Sequence, residues 1–371
     1  MKEHGYILIL GSLTAFFVVL LTMPSLIKVA RMKHLVDEPS ESRKLHARSV
    51  PTIGGIIIFA AIIFSYALWF PQASLIGIGE SGYRAMYMAM GAAYQDFKFV
   101  IAAMVLLFFI GVKDDIIGVS PVKKLVGHMV VGYIIVIMAG IRITDMHGVF
   151  GVYELPDHIS IAFSFFVYVV LVNAFNLIDG VDGLAGGIGL IAALAYGVWL
   201  FMAGDVALAL LAFVLAGALL GFLVFNFHPA RIFMGDSGSL IIGAIIAVLA
   251  MRIVDHDTSR MPYYMRTIPT PVFAMAVIAY PLVDTLRIFI YSMSRGISPF
   301  VADRNHIHHR LLALGMGHRG TVLLLCMYAC TVIALSLVTR KWQPNIGLMV
   351  MGTTAFVLAM LPFALPKKRE P

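Results

Sequence analysis

Residues 159–183 read ISIAFSFFVYVVLVNAFNLIDGVDG. Positions 159–175 carry no charge and reach the length range of a membrane-crossing helix, roughly 17–25 residues. The run then ends in Asn173, Asn176, Asp179 and Asp182, spaced three apart, with Gly180 and Gly183 between and after the acids. Three-residue spacing puts such groups on one face of a helical turn. Oxygen-bearing side chains at the end of a membrane helix suit a hard cation or a hydroxyl-rich ligand. A polar turn capped by Asn and Asp is the plainer alternative, and it needs fewer of these groups.

The rest of the chain repeats this alternation. Of 371 residues, 60% are hydrophobic and 13% charged, against about 25% charged in a soluble domain. Mean hydropathy is +0.93. Apolar runs at 6–28, 51–70, 97–112, 125–143, 159–175, 184–203, 206–225, 238–253, 268–291, 321–338 and 345–365 predict an all-α integral membrane protein. It has about eleven transmembrane helices and a single membrane domain over 1–371. The stretch 6–27 is too long for a signal-peptide core and has no small-residue cleavage site after it, so it reads as a retained first helix. Pro271 and Pro281 predict a break in the ninth span. Cys326 and Cys330 lie within one apolar run and make no disulfide framework.

The net charge of +7 does not point to nucleic acid, because the basic residues sit between apolar runs. The first loop, with Lys28, Arg31, Lys33, Arg43, Lys44 and Arg48, and every second loop after it hold the larger share of Lys and Arg. That asymmetry predicts an outside N-terminus and a cytoplasmic C-terminus. The polar clusters fall in those same cytoplasmic loops.

Asp114 and Asp115 close a helix that runs toward the cytoplasm. They oppose its dipole and repel each other unless a cation is shared. A solvated pair neutralised by Lys113, Lys123 and Lys124 is the other reading. In 226–239, NFHPARIFMGDSGS, Asp236 is placed as a helix N-cap, and a helix start flanked by glycine also attracts phosphate or its metal. Phe233 is either core or a platform for a base. Residues 303–310, DRNHIHHR, bring Arg304, His306, His308, His309 and Arg310 together. Clustered imidazoles suit a transition metal, but the neighbouring Arg residues favour pyrophosphate. Asp284 and Arg287, three apart inside the ninth span, are either an internal ion pair or part of a site.

Taken in order from about residue 24 to 312, these segments resemble the polyprenyl-phosphate N-acetylhexosamine-1-phosphate transferase family, glycosyltransferase family 4. The resemblance is carried by PTIGG at 51–55, the Asp114–Asp115 pair, NAFNLIDGVDGLA at 173–185 and FMGDSGS at 233–239. The ending SPFVADRNHIHHRL at 298–311, with Lys44 and His46 ahead of Pro51, is similar to the branch that acts on undecaprenyl phosphate and N-acetylglucosamine. His128 departs from that pattern, where Gln is expected.

The resemblance implies a bacterial cytoplasmic-membrane enzyme with its site facing the cytoplasm, Mg²⁺ (or Mn²⁺) as cofactor, a UDP-N-acetylaminosugar and polyprenyl phosphate as substrates, membrane lipid around it, and a homodimer. By position it implies Asp236 as metal ligand, with Asp115 and Asn176 beside the ion. It implies Asp114, Asp115, Asp179, Asp182 and Asp236 as catalytic groups. Lys44, His46, Asn173, Asn176, Asn226, Phe233, Arg304, His306, His308, His309 and Arg310 are implied as substrate contacts. A phospho-MurNAc-pentapeptide transferase shares the chemistry, and an ion-coupled secondary transporter would put the same Asp and Asn residues to another use.

Overall fold

A computed structural model describes residues 5–33, 36–37, 50–71, 80–296 and 305–366. Among the described residues the fold is all-α apart from a two-residue antiparallel pairing of β1 (Val36–Asp37) with β2 (Val50–Pro51) and an isolated antiparallel bridge between Asp145 and Glu154. The helices are α1 (Gly5–Met32), α2 (Gly55–Trp69), α3 (Glu80–Ile117), α4 (Pro121–Tyr133), α5 (Asp157–Leu177), α6 (Leu184–Ala203) and α7 (Val206–Asn226). They continue with α8 (Asp236–Val254), α9 (Tyr263–Arg266), α10 (Thr270–Val277), α11 (Ala279–Ser294), α12 (Ile307–Ala313), α13 (His318–Val338) and α14 (Pro344–Ala364). Lipid offers no partner for backbone N–H and C=O groups, so long apolar runs close their hydrogen bonds within helices. Among the described residues, 8 helices are long and apolar enough to cross a membrane, or 9 if a bent pair is one span.

Each apolar run is helical, but some boundaries differ from the sequence reading. The run at 51–70 becomes helix only from Gly55, because Pro51 ends β2 and Gly54 and Gly55 give their N–H groups to Phe233 and Met234. The short run at 97–112 is the core of a much longer helix, α3. The ninth run is broken between α10 and α11, with a bend of 75°. Pro281 explains the position. It has no N–H, and its ring would strike the carbonyl of Val277, four residues back, where α10 ends.

α8 stands at the centre, with 94% of its apolar window buried, and α5 and α3 pack along it. α7 packs between α1 and α6. Two glycines let the central helix start close to its neighbours. A Cβ on Gly55 would overlap the backbone of Gly238, and one on Gly111 would stand 2.5 Å from Ser237 Cα. At the other end of α8, Arg252 pairs with Asp96 of α3 (2.6 Å), so α3 is fixed to α8 at both ends.

This packing predicts that Gly55→Ala destabilises the protein by about 1–3 kcal/mol, the usual cost of overpacking. Gly352→Ala, whose added methyl meets nothing within 4 Å, is neutral. Thermal unfolding of both variants in detergent checks this, and equal melting temperatures would contradict the close approach of α2 and α8.

Candidate active site at the helix ends

The C-terminal ends of α3, α5 and α7 and the N-terminal ends of α4, α6 and α8 gather at one end of the bundle, and the acidic motifs gather with them. The scaffold is backbone. Phe233 N–H donates to Pro51 O (2.7 Å), Gly54 N–H to Phe233 O (3.0 Å) and Gly55 N–H to Met234 O (2.8 Å). This short pairing holds the turn before α8. Gly235 has φ of 70°, and a Cβ there would lie 2.7 Å from Asp115 Oδ1. Glycine is required on both counts.

Asp115 caps α8 from another helix. Its Oδ1 accepts Asp236 N–H (2.7 Å) and its Oδ2 accepts Ser237 N–H (3.0 Å). These are orphan donors of a helix start, where negative charge is also favoured by the dipole. Asp236, the first residue of α8, accepts Asn176 Nδ2–H at Oδ1 (2.8 Å) and the Lys124 ammonium at Oδ2. Asn176 Nδ2 also donates to Ser239 Oγ (3.0 Å). Lys124 reaches Asp114 Oδ2 as well (3.1 Å), while Asp114 Oδ1 accepts Val119 N–H (2.5 Å).

The turn after α5 completes the group. Burial pushes the Asp179 carboxyl well above the usual carboxylate range. The nearby charges of Asp236, Asp115 and Asp182 push the same way, against one backbone N–H from Gly235. Asp182 is buried. Its Oδ2 accepts from His228 Nδ1 (2.7 Å) and Ala230 N–H (3.1 Å), and its Oδ1 has no hydrogen-bond partner. His318 Nδ1 lies 3.8 Å from the same Oδ2.

The structure therefore brings Asp114, Asp115, Asn176, Asp179, Asp182 and Asp236 together. Other residues singled out from the sequence are placed differently. Asn226 is buried and bridges backbone, accepting Gly183 N–H (2.9 Å) and donating to Ile232 O (2.9 Å). Asn173 turns its amide back to Val169 O on its own helix (2.7 Å). Phe233, half-buried, sits on the strand pairing beside Gly54. His306 and His308 are buried and His309 half-buried. A Cβ on Gly180 would stand 2.9 Å from His308 Nε2, so the histidine segment reaches the 179–182 turn. Arg310 is spent elsewhere. Its Nε donates to Pro362 O (3.0 Å) and its guanidinium to Leu365 O, at the end of α14. Lys44, His46 and Arg304 lie outside the described residues.

Two participants, His228 and His318, escape the sequence reading, and a third is read in part: Lys124 neutralises Asp114 as expected, and its contact to Asp236 is the addition. The tight 118–120 link, with Gly118 at φ of 73° and Pro121 opening α4, folds its helix back onto α3. The Gly and Pro pair was the available signal. His228 and His318 carry no such signal, since they meet Asp182 only across the fold.

Among the described residues, two groups present metal-type atoms within 4.8 Å of one another: Asp182, His228 and His318, and Asp284, His306 and His308. In both, the imidazoles stack, with ring centroids 4.5 Å apart at 24° and 5.1 Å apart at 11°. A ring nitrogen's lone pair lies in the ring plane, so stacked rings converge poorly on one ion, and in each group only one imidazole is within hydrogen-bond distance of the carboxylate. The oxygen cluster around Asp236 suits a hard divalent cation better. Among the described residues, the contacts to Asp114, Asp115 and Asp236 include one ammonium, Lys124, and Asp179 is pushed toward its neutral form. A cation fits that imbalance.

Comparison with known proteins agrees with this geometry. Residues 97–254 match the family "Glycosyl transferase family 4". The chain is 32% identical over 345 residues to the decaprenyl-phosphate N-acetylglucosaminephosphotransferase of Mycolicibacterium smegmatis, covering 88% of this chain and 81% of that protein. It is 30% identical over 339 residues to the undecaprenyl-phosphate alpha-N-acetylglucosaminyl 1-phosphate transferase of Salmonella typhi, covering 89% and 84%. The protein of that name from Escherichia coli K12 is 28% identical over 341 residues, with the same coverage. The matched region runs through every acidic motif from Asp114 to Asp236, and the chain belongs to glycosyl transferase family 4, the polyprenyl-phosphate N-acetylhexosamine-1-phosphate transferases.

Proposed function

We propose that this protein transfers N-acetylglucosamine 1-phosphate from UDP-GlcNAc to undecaprenyl or another polyprenyl phosphate, releasing UMP. The observation that carries the reading is the convergence of Asp114, Asp115, Asp179, Asp182 and Asp236 with Lys124 and Asn176 at one end of a bundle of apolar helices. One substrate dissolves in lipid and the other in water, so the reaction needs polar groups at the boundary between them. We assign about eleven spans in total, an outside N-terminus and a site on the cytoplasmic face of a bacterial inner membrane, on the Lys and Arg asymmetry of the loops. A homodimer is part of the same reading.

Mg²⁺ is the cofactor proposed, held by Asp236 with Asp115 and Asn176 beside it, and when bound it neutralises diphosphate charge. The chain's own residues do the rest. Asp115 spends one lone pair on each oxygen capping α8, which holds Asp236 in place. Lys124 sits between Asp114 and Asp236 and can trade a carboxylate for a phosphate oxygen. A phosphate monoester has a second pKa of about 6, so the carrier is already largely a dianion at neutral pH. The reaction is then a single displacement: a carrier oxygen attacks the β-phosphorus and the bond to UMP breaks. Asp114 positions the carrier phosphate or accepts its residual proton. Phe233 and the 179–182 turn border the nucleotide and sugar.

The test is UMP release by purified protein given polyprenyl phosphate, UDP-GlcNAc and Mg²⁺, with and without chelator. Turnover is expected only with metal. Asp236→Asn and Asp179→Asn are expected to lower kcat by about 10²–10³-fold, the scale of losing one group that stabilises transition-state charge. UMP release with UDP-MurNAc-pentapeptide instead would replace the sugar assignment. Substrate uptake into proteoliposomes without UMP would replace the enzyme. A phosphorylated protein isolated after incubation with UDP-GlcNAc alone would rule out single displacement.

A second expectation concerns pH. The folded state holds the Asp179 proton more tightly than the unfolded state. The contribution of Asp179 to metal-free stability is therefore fully present below the ordinary carboxylate range and is lost as pH rises through the raised one. A divalent cation offsets that loss. MgCl₂ should raise the melting temperature more at pH 8 than at pH 5, and an equal gain at both would show that Asp179 is not part of the cation's surroundings.

A further inference from the structure

Asp284 lies within α11 and is fully buried. A carboxylate inside a membrane span is costly and is usually paired or functional. Arg287, one turn on, is the partner that sequence spacing suggests, yet it stands 3.5 Å away. Its guanidinium donates to Asn305 O and lies 4.3 Å from the centre of the Phe363 ring. The closer partners of Asp284 come from α12. Oδ2 accepts His306 Nδ1–H (2.8 Å) and Oδ1 accepts Ile307 N–H (2.9 Å). One turn before Asp284, the buried Tyr280 hydroxyl meets His308 Nδ1 (3.3 Å).

Tyr280 and Asp284 therefore present one face of α11 to the two imidazoles. α11 packs on α5, whose end carries the 179–182 turn. His308 Nε2 is buried with no hydrogen-bond partner and faces Gly180 in that turn. Burial pushes the His308 imidazole down to about 3, so it stays neutral at working pH and adds no positive charge there. Gly180 closes off the far nitrogen of His308, whereas the far nitrogen of His306 makes no hydrogen bond among the described residues and is the one left for a ligand.

We propose that Asp284 is a positioning residue. By accepting His306 Nδ1–H, and with Tyr280 holding His308, it fixes which nitrogen the histidine segment presents to the diphosphate of the donor sugar nucleotide. This rests on the function proposed above. It also gives a reason for a carboxylate inside a span: it is the only acceptor in reach of both His306 Nδ1 and Ile307 N–H among the described contacts.

The test is a double-mutant cycle on the full-length protein in detergent, using UMP release at varied UDP-GlcNAc. Asp284→Asn and His306→Gln are each expected to lower kcat/KM for UDP-GlcNAc by about 10–100-fold, the usual effect of disturbing a group that orients a ligand contact. The double variant is expected to be no worse than His306→Gln alone. Multiplying losses would show that Asp284 acts independently of His306 and overturn the proposal. A readout free of activity is the ¹⁵N spectrum of histidine-labelled protein, with the His306 signal assigned by its absence in His306→Gln. Wild type should show a protonated Nδ1 at His306, and Asp284→Asn should move that proton or average it between nitrogens. A bare Nδ1 in wild type, which needs no variant to fold, would overturn the proposal. If wild type releases no UMP, the functional reading fails while the spectrum still decides the Asp284–His306 bond.

Discussion

The start of α8 is where the rest of the site is attached. Its first N–H groups are orphans that some acceptor has to satisfy, and the acceptor is Asp115, from α3. The turn before it is held by backbone pairing with residues 51–55. With both restraints in place, Asp236 has little freedom, and Asn176 and Lys124 close on its two oxygens from α5 and α4. A single helix terminus thus collects groups from four other segments. It can do so because glycines at 55, 111 and 235 let backbone approach where a side chain would not fit.

That arrangement concentrates negative charge. Asp179 registers the strain electrostatically, since its neighbours and its burial both oppose ionisation. Lys124 relieves part of it. The proposed divalent cation would offset the rest of that imbalance. Asp182 stands beside this group, and His228 and Ala230 hold its Oδ2 in place.

Much of this was readable before any coordinates. The helices follow from apolar length because lipid leaves the backbone no other way to bond, and the break follows from Pro281. The start of α2 was not readable, because backbone hydrogen bonds to Phe233 and Met234, far away in sequence, hold the first residues of its apolar run. The acids of the site could be named because Asp is rare in such a chain and its spacing is distinctive. His228 and His318 could not, since His is common in membrane loops and only folding decides which one meets a carboxylate. Arg310 shows the converse. It stands in a segment rich in phosphate-type donors, yet its guanidinium holds the end of α14. A long side chain can reach in several directions, and sequence does not choose between them.

The helix ends are also the only part of such a bundle that can perform this kind of chemistry. Along their length the spans offer methyl groups and satisfied peptides, and a charge there has to be matched at once, as Asp284 is. At the ends, helix-start N–H groups, short glycine turns and half-buried carboxylates come together. Asp284 extends the principle inward: placed just past the 75° bend, it anchors a segment that begins outside the span, and so passes the order of the buried helix on to imidazoles that face the acidic turn.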